Sequence, residues 1–174
     1  MATLFRRLTS TPFLRAQLQT LTRVGQTFFF IHLFWEHFYC VGAATGASML
    51  PTINIAGDWI VISKLYSRGR GVGVGDMVSY VRPVDGPGVH VSKRIIGMPG
   101  DWVVVDPEKG DEVIKVSVGR VPPGHCWTTG DNLPFSNDSR HYGPVPLALV
   151  RGKVIARFKP MPKFFENGLK DVEN

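Results

Sequence analysis

The sequence contains little cysteine, and it has neither a zinc motif nor a phosphate-binding loop. Its 174 residues include only two cysteines, Cys40 and Cys126, which are too few for a disulfide-stapled scaffold and lack the paired spacing of a zinc site. The glycine-rich run SRGRGVGVGD is followed by the strand-like DMVSYV, whereas a dinucleotide-binding loop opens a helix. We therefore expect no cofactor and no metal ion, and these glycines fit a turn between strands.

Acidic residues are absent from the first 35 residues, which carry four arginines. Beyond them, sixteen basic residues accompany fourteen acidic ones, so the rest of the chain is close to neutral. A folded nucleic-acid binder carries its excess positive charge on the domain itself, so we expect no nucleic acid partner. Arginine and threonine without acids are typical of a mitochondrial or plastid import segment, or of the basic flank of a membrane anchor. Residues 1–23 are predicted to be such a basic segment.

Residues 24–44 form an apolar run of 21 residues, which is long enough to cross a bilayer as a helix. Three polar residues interrupt it, His32, Glu36 and His37. Their spacing, H-x-x-x-E-H, matches neither of the zinc-protease patterns that combine two histidines with a glutamate. We predict one membrane-anchoring helix over 24–44. The alternative is a helix packed on the surface of the domain or lying in the membrane interface.

After the apolar run, the pattern changes to short β-like segments separated by glycine and proline. These segments are rich in β-branched and aromatic residues: DWIVISKLY, DMVSYV, GVHVSKRII, DWVVV, EVIKVSV and ALVRGKVIARF. Hardly any stretch beyond residue 50 repeats apolar residues at helical spacing. We predict a mainly β domain over 45–158, folded as a compact barrel-like or sandwich arrangement. The polar, proline-broken tail, 159–174, is predicted to be flexible.

Two segments carry residues suited to nucleophilic catalysis. Ser48 lies in GASMLPT, where a glycine-containing turn and a proline favour presentation of its hydroxyl. Lys93 lies in VHVSKRII, where strand alternation places it on the apolar face and Arg94 on the other. Burial lowers the pKa of a lysine, and a neutral lysine can accept a proton from a serine hydroxyl. Lys64 has a similar placement in its own strand, so periodicity alone does not choose between the two lysines.

Three motifs together resemble those of the type I signal peptidases. They are GASMLPT, KRIIGMPGD and GDNLPFSNDSRHYGPV, and they occur in the order of that family and at roughly its spacing. The last is the most specific, since it matches the family pattern G-D-N-x-x-x-S-x-D-S-R-x-x-G. Within the family, GHCWTTGDNLPFSNDSR and PLALVRGKVIAR are similar to the mitochondrial inner membrane peptidases. The resemblance implies a signal-peptidase-like β domain that follows one N-terminal membrane-anchoring helix.

The resemblance also implies a role for each matching residue. Ser48 corresponds to the nucleophile and Lys93 to the general base of a Ser–Lys dyad. The supporting residues match the hydroxyl that orients the lysine, an ion pair and a structural box: Ser136, Asp138, Arg140, Asp131 and Asn132. The Ser48 backbone N–H is the expected oxyanion donor. Gly46 stands where some bacterial members have a serine as second donor, and Ala47 stands where the mitochondrial subunits more often have proline.

These expectations describe a membrane-anchored serine endopeptidase of the mitochondrial inner membrane. It would remove sorting or signal peptides from membrane-associated preproteins delivered to the intermembrane space. Positive charge before the helix favours residues 1–23 on the matrix side, with the catalytic domain facing the intermembrane space. The expected partners are the lipid bilayer and a second, related peptidase subunit in a hetero-oligomer. The extended substrate is expected to pair with a sheet edge as an added strand.

Three alternative functions predict sequence features that differ from those of this chain. A non-catalytic structural subunit of a membrane protease complex would be expected to lose its dyad, whereas Ser48, Lys93 and Ser136 are all present. A bacterial or plastid signal peptidase would share the chemistry, although the short domain argues against a large bacterial form. A soluble self-cleaving repressor would lack the apolar run and would carry a DNA-binding module.

Overall fold

The computed structural model describes residues 12–85, 88–103, 120–159 and 161–167. The chain separates into two compact units, of which the first ends at Phe38 and the second begins at Tyr39. The predicted strand EVIKVSV and the last two residues of DWVVV lie outside the described residues.

The first unit contains one long helix, α1, which spans Pro12–Phe38. Proline suits the first turn of a helix because its missing N–H has no intrahelical partner there. Apolar side chains along α1 are exposed, including Phe28, Phe30 and Trp35. Within the described residues, no helix combines the length and the hydropathy that a membrane span requires. The helix begins earlier than the predicted anchor and ends six residues before its predicted end at Ala44.

The last six residues of the predicted anchor form strand β1, Tyr39–Ala44, rather than helix. This strand pairs antiparallel with β2, Asp58–Ser63, from Tyr39 opposite Ser63 to Ala44 opposite Asp58. A short apolar run does not by itself distinguish a buried strand from a helix. The distant partner strand decides the conformation here, and the prediction of one helix over 24–44 is wrong at that end.

The second unit is built on an antiparallel sheet, which confirms the predicted mainly β class. Its further strands are β3 (Met77–Val81), β4 (His90–Gly97), β5 (His125–Thr129), β6 (Val145–Pro146), β7 (Val150–Lys159) and β8 (Lys163–Phe164). The described strands follow the order β1-β2-β7-β3-β4-β5-β6, with β8 paired to β7. Four of the predicted segments coincide with β2, β3, β4 and β7, while Asp101–Val103 is not in a strand. Strand β5 was not among the predictions.

Three apolar clusters support the sheet in the described part of the chain, and two of them contain residues of β3 and β7. The first is built around side chains that include Val78, Tyr80 and Ile95, each fully buried. The second comprises Met49, Ile53, Ile60, Met77 and Val154. Because Met49 follows Ser48 directly, the second cluster ties the turn that carries the serine to strands β2, β3 and β7.

Part of the tail that was predicted to be flexible is packed on the domain. The Phe165 N–H donates to the Ile155 carbonyl at 2.9 Å, and Phe165 packs against the cluster that contains Met49. The Asn167 side chain donates to the Val74 carbonyl at 2.6 Å. Phe164 pairs with Ala156 of β7, and Phe165 packs against the apolar cluster. The polar composition of the tail as a whole did not indicate either contact.

We expect Phe165→Ala to lower the free energy of unfolding by about 2 kcal/mol, because it removes a half-buried ring from the second cluster. Phe164→Ala is the matched control, since its ring is 78% exposed and its loss is expected to change stability by less than about 0.5 kcal/mol. Urea unfolding of the full-length protein followed by circular dichroism measures both. Equal effects of the two substitutions would contradict the packing role of Phe165.

Candidate active site

Ser48 lies in a short 3-10 turn, Ala47–Met49, directly after strand β1. Gly46 precedes the turn with a φ of 107°, a conformation that residues with a Cβ rarely adopt. The Gly46 N–H donates to the Ile55 carbonyl at 2.8 Å, which closes the loop on itself. Met49 is buried while Ser48 is half-buried. The turn therefore anchors one side chain in the core and leaves its neighbour at the surface of a cavity.

The third sequence motif holds this turn in place from the other side. The Asn132 backbone N–H donates to the Ser48 carbonyl, and the Asn132 side chain donates to the Ala47 carbonyl, both at 3.0 Å. Gly130 lies so close that an added Cβ would collide with the Ser48 carbonyl oxygen and with the Ser136 side chain. A glycine is required here because the two backbone segments approach each other closely.

Lys93 is only 3% exposed and lies in β4 opposite Val78 of β3. Burial lowers the pKa of Lys93 to about 8, since desolvation disfavours the charged ammonium. Asp138 and Asp131 act in the opposite direction, and the guanidinium groups of Arg82 and Arg140 lower the pKa further. A lysine in this environment is partly neutral at slightly alkaline pH.

The two lysines that periodicity left open differ in burial. Lys64 follows the end of β2, in the 3-10 turn Lys64–Gly69, and is half-buried. Lys93 is the deeply buried one, and it lines the same cavity as Ser48. This cavity has a volume of about 140 Å³, and Ala44, Met49 and Ile53 contribute apolar wall. The alternation that placed Lys93 on the apolar face is confirmed.

Ser136, Asp138 and Arg140 form one hydrogen-bonded network. The Ser136 hydroxyl donates to Asp138 Oδ2 at 2.6 Å, and the Gly130 N–H donates to Ser136 Oγ at 3.1 Å and to Asp138 Oδ2 at 2.9 Å. Arg140 Nε donates to Asp138 Oδ1 at 2.9 Å. Asp138 also caps the short helix α2, Ser139–Tyr142, by accepting from the Arg140 N–H. Residues of the third motif thus donate several hydrogen bonds to the buried Asp138 carboxylate of the same motif.

The Asp138 carboxylate remains ionised although it is fully buried. Burial alone would raise its pKa, but the hydrogen bonds from Arg140, Ser136 and Gly130 outweigh this effect and hold the pKa below the ordinary value. Because Ser136 uses its proton on Asp138, its oxygen is left to accept hydrogen bonds from other donors. A permanent negative charge therefore lies beside the lysine and limits how far burial lowers its pKa.

Asp131 connects all three sequence motifs through two residues that the sequence analysis did not assign to the site. The Arg94 guanidinium donates two hydrogen bonds of 2.8 Å to the Asp131 carboxylate. The Thr52 hydroxyl donates to Asp131 Oδ2 at 2.5 Å. Arg94 also donates to the Gly75 carbonyl at 2.7 Å. Strand alternation separates Arg94 from Lys93, and nothing in the local pattern pairs Thr52 with Asp131. Their positions inside the motifs were the only available signal.

A buried lysine and a serine in one cavity are the two residue types that a serine hydrolase of the Ser–Lys type requires. The family described as signal peptidase, peptidase S26, matches residues 15–116 and 106–159 of the chain. The chain belongs to this family, as its motifs indicated, and is a serine endopeptidase.

Among its relatives is mitochondrial inner membrane protease subunit 1 of Schizosaccharomyces pombe, which is 43% identical over 145 residues, 83% of this chain and 88% of the relative. Subunit 1 of Saccharomyces cerevisiae is 35% identical over 152 residues, 82% of this chain and 80% of the relative. Subunit 1a of the mitochondrial ATP-independent inner membrane protease of Arabidopsis thaliana is 46% identical over 122 residues, 69% of this chain and 70% of the relative. A signal peptidase I from Enterococcus faecalis of known structure aligns at 24% identity with a TM-score of 0.37, covering 49% of this chain and 97% of that chain.

Proposed function

We propose that this protein is a membrane-anchored serine endopeptidase that removes sorting or signal peptides from preproteins delivered to the mitochondrial intermembrane space. In this proposal Ser48 is the nucleophile and Lys93 is the general base. The observation that carries it is the cavity lined by both residues, in which burial lowers the pKa of Lys93 to about 8. Relatives named as mitochondrial inner membrane proteases support the choice of compartment.

The reaction requires two proton transfers at Lys93 for each half of the cycle. Neutral Lys93 accepts the Ser48 hydroxyl proton while Oγ attacks the scissile carbonyl carbon, and the resulting ammonium returns the proton to the leaving amine. Water then loses a proton to Lys93 and attacks the acyl-enzyme. This step releases the new carboxyl end and restores the Ser48 hydroxyl. The Ser48 N–H stabilises the oxyanion in both halves, and Gly46 offers no side-chain donor.

The supporting residues have proposed roles that follow from their contacts. Ser136 donates to Asp138, so its oxygen is available to accept from the Lys93 amine and to orient it. The Arg140 and Asp138 pair keeps that arrangement charged and fixed. Asp131 and Asn132 hold the nucleophile turn against β4, Asn132 directly and Asp131 through Thr52 and Arg94.

The substrate is proposed to bind as an added strand along β4. Residues 90–94 of this strand pair with β3 on one side, while pairing with β5 begins only at Arg94. In the described part of the chain, the second edge of residues 90–93 has no partner strand. These same four residues line the cavity that contains Ser48. An extended peptide laid along this edge gains backbone hydrogen bonds and passes the dyad.

The proposal places residues 1–23 on the matrix side and the catalytic unit in the intermembrane space, with the bilayer as a binding partner through α1. The exposed aromatic and aliphatic side chains of α1 favour an apolar environment. The hydroxyl groups of Thr20, Thr22 and Thr27 donate to carbonyls of the same helix, so these polar groups have partners without water. A subunit 2 of the mitochondrial inner membrane protease from Danio rerio is 37% identical over 117 residues. We therefore propose a hetero-oligomer with a related second subunit.

Reconstitution tests the proposed function. The full-length protein is placed in liposomes of inner-membrane composition with a membrane-inserted preprotein, with and without the second subunit. Cleavage at one site next to the membrane-inserted segment is the expected result. Failure to cleave in every lane, while the second subunit processes its own substrate, would favour a structural subunit over an enzyme.

The proposed base predicts an alkaline pH dependence. Because Lys93 acts only when neutral and its pKa is about 8, kcat/KM should fall about tenfold for each pH unit below 7 and level off above 9. Initial rates between pH 6 and 9.5 measure this limb, and circular dichroism at each pH shows whether the fold persists. A flat profile with an intact fold would contradict the assignment of Lys93 as the base.

A further inference from the structure

The cavity that holds Ser48 and Lys93 also contains a histidine with no role in the proposed chemistry. His90 is the first residue of β4 and belongs to the wall of the cavity. It lies three residues before Lys93, so strand alternation places the two side chains on opposite faces of β4. The His90 side chain is exposed, and within the described residues it makes neither a hydrogen bond nor an ion pair. An imidazole offers an N–H donor in both its neutral and its charged form. His90 is thus an exposed donor on the free edge of β4, next to the cavity, and within the described residues its side chain has no partner.

Among the described residues, no carboxylate lines the cavity. Its lining consists of small, apolar and hydroxyl side chains together with two ionisable residues, His90 and Lys93. The buried and half-buried carboxylates elsewhere in the described part of the domain are already paired, Asp58 with Arg157, Asp76 with Lys153, Asp131 with Arg94 and Asp138 with Arg140. A negatively charged ligand in this cavity would therefore meet donors and no opposing carboxylate from the cavity wall.

The position of His90 on the free edge of β4 sets which part of a substrate it meets. A peptide paired with this edge has side chains within contact of the residue directly opposite. Three residues along a strand correspond to about 10 Å, so His90 lies two to four substrate residues from a scissile bond held at Ser48 and Lys93.

We propose that His90 is a specificity-determining residue whose imidazole binds an acidic side chain of the substrate, two to four residues from the scissile bond. This inference rests on the proposed function, because it describes a subsite of the same peptidase. The enzyme would then discriminate among preproteins by the charge near the cleavage site as well as by the extended conformation of the segment.

The test is a set of fluorogenic peptides that carry Asp, Asn or Lys at the second, third or fourth position on either side of one cleavage site. For each position, the ratio of kcat/KM for the Asp and Lys peptides is measured with full-length protein in detergent. This ratio does not depend on the fraction of folded enzyme. We expect the wild type to prefer Asp by about fivefold at one position, the size of one partly exposed charge-assisted contact.

Substitutions of His90 test whether this residue causes the preference for Asp over Lys. His90→Ala is expected to bring the ratio close to one, and His90→Glu to reverse it in favour of the Lys peptide. His141→Gln is the matched control, since His141 is also exposed but does not line the cavity, and it should keep the wild-type ratio. If the preference is absent in the wild type, or survives unchanged in His90→Ala and His90→Glu, the inference about His90 is overturned while the proposed peptidase function stands.

Two further outcomes separate the subsite from the proposed function. If the wild type cleaves the membrane-inserted preprotein but no peptide of the set, the subsite assignment is overturned. If it cleaves neither, the proposed function itself is contradicted.

Discussion

Replacing Ser48 with alanine is expected to reduce cleavage by at least about 10⁴-fold while the protein stays folded. The hydroxyl supplies the attacking oxygen, and no acyl-enzyme forms without it. The fold should persist because the side chain is half-buried and the turn is held by backbone contacts, namely those from Asn132 to the Ser48 and Ala47 carbonyls. Cleavage of the membrane-inserted preprotein, followed by gel electrophoresis under single-turnover conditions, measures the loss.

Ser67→Ala is the matched control for this substitution. Ser67 is also half-buried and lies at the kink within the 3-10 segment Lys64–Gly69, but it is not part of the cavity that contains Lys93. It should retain activity within about twofold. If the wild type is active, turnover by Ser48→Ala close to that of Ser67→Ala would refute Ser48 as the nucleophile.

Replacing Lys93 with arginine or methionine is expected to cause a loss of similar size. A guanidinium stays protonated at every usable pH and cannot accept the serine proton, and methionine has no acceptor for it. Lys64→Arg is the control, because Lys64 is the lysine that local periodicity could not separate from Lys93. Full activity in Lys93→Arg, or a loss confined to Lys64→Arg, would show that the wrong lysine was assigned.

Lys93→Met is also expected to stabilise the folded protein near neutral pH. Burial lowers the pKa of Lys93 from 10.5 to about 8, so at pH 7 the folded state carries a charge that its surroundings disfavour. Each unit of such a shift corresponds to about 1.4 kcal/mol, and we expect a gain of roughly 1–3 kcal/mol.

The sign of this effect also fixes its pH dependence. Between pH 8 and 10.5 the unfolded chain binds more protons at Lys93 than the folded one, so wild-type stability rises with pH there. The advantage of Lys93→Met should shrink over the same range. Urea midpoints of both proteins at pH 7 and pH 10 measure it. A Met variant that is less stable than the wild type at pH 7 would mean that the ion contacts of the lysine outweigh its desolvation.

Where the prediction of the fold was wrong, the deciding contacts were remote in sequence. The apolar run that ends at Ala44 gave no sign that its last six residues pair with Asp58–Ser63. Nor did the polar tail indicate that Phe165 reaches the cluster around Met49. In both cases the backbone finds its hydrogen-bond partners in a strand elsewhere in the chain, which a local window of sequence does not contain.

The residues of the site also fall into two groups, those that the sequence motifs named and those that only the structure connects to the site. The motifs named Ser48, Lys93, Ser136, Asp138, Arg140, Asp131 and Asn132 as a set, and their catalytic roles remain predictions for the substitutions above. Thr52 and Arg94 were not in the set, although they hold Asp131 between the other two motifs. Contacts of this kind form between residues that are brought within reach only when β4 packs against the turn that carries Ser48.

The sequence by itself determined the class of fold, the family and the face of β4 on which Lys93 lies, because alternation along a strand is a local property of the chain. Only the tertiary structure decided that Lys93 rather than Lys64 is deeply buried, that it shares a cavity with Ser48 and that its pKa lies near 8. Desolvation depends on every element packed around a group, and several residues near Lys93, among them Ser48 and Asp138, are far from it in sequence.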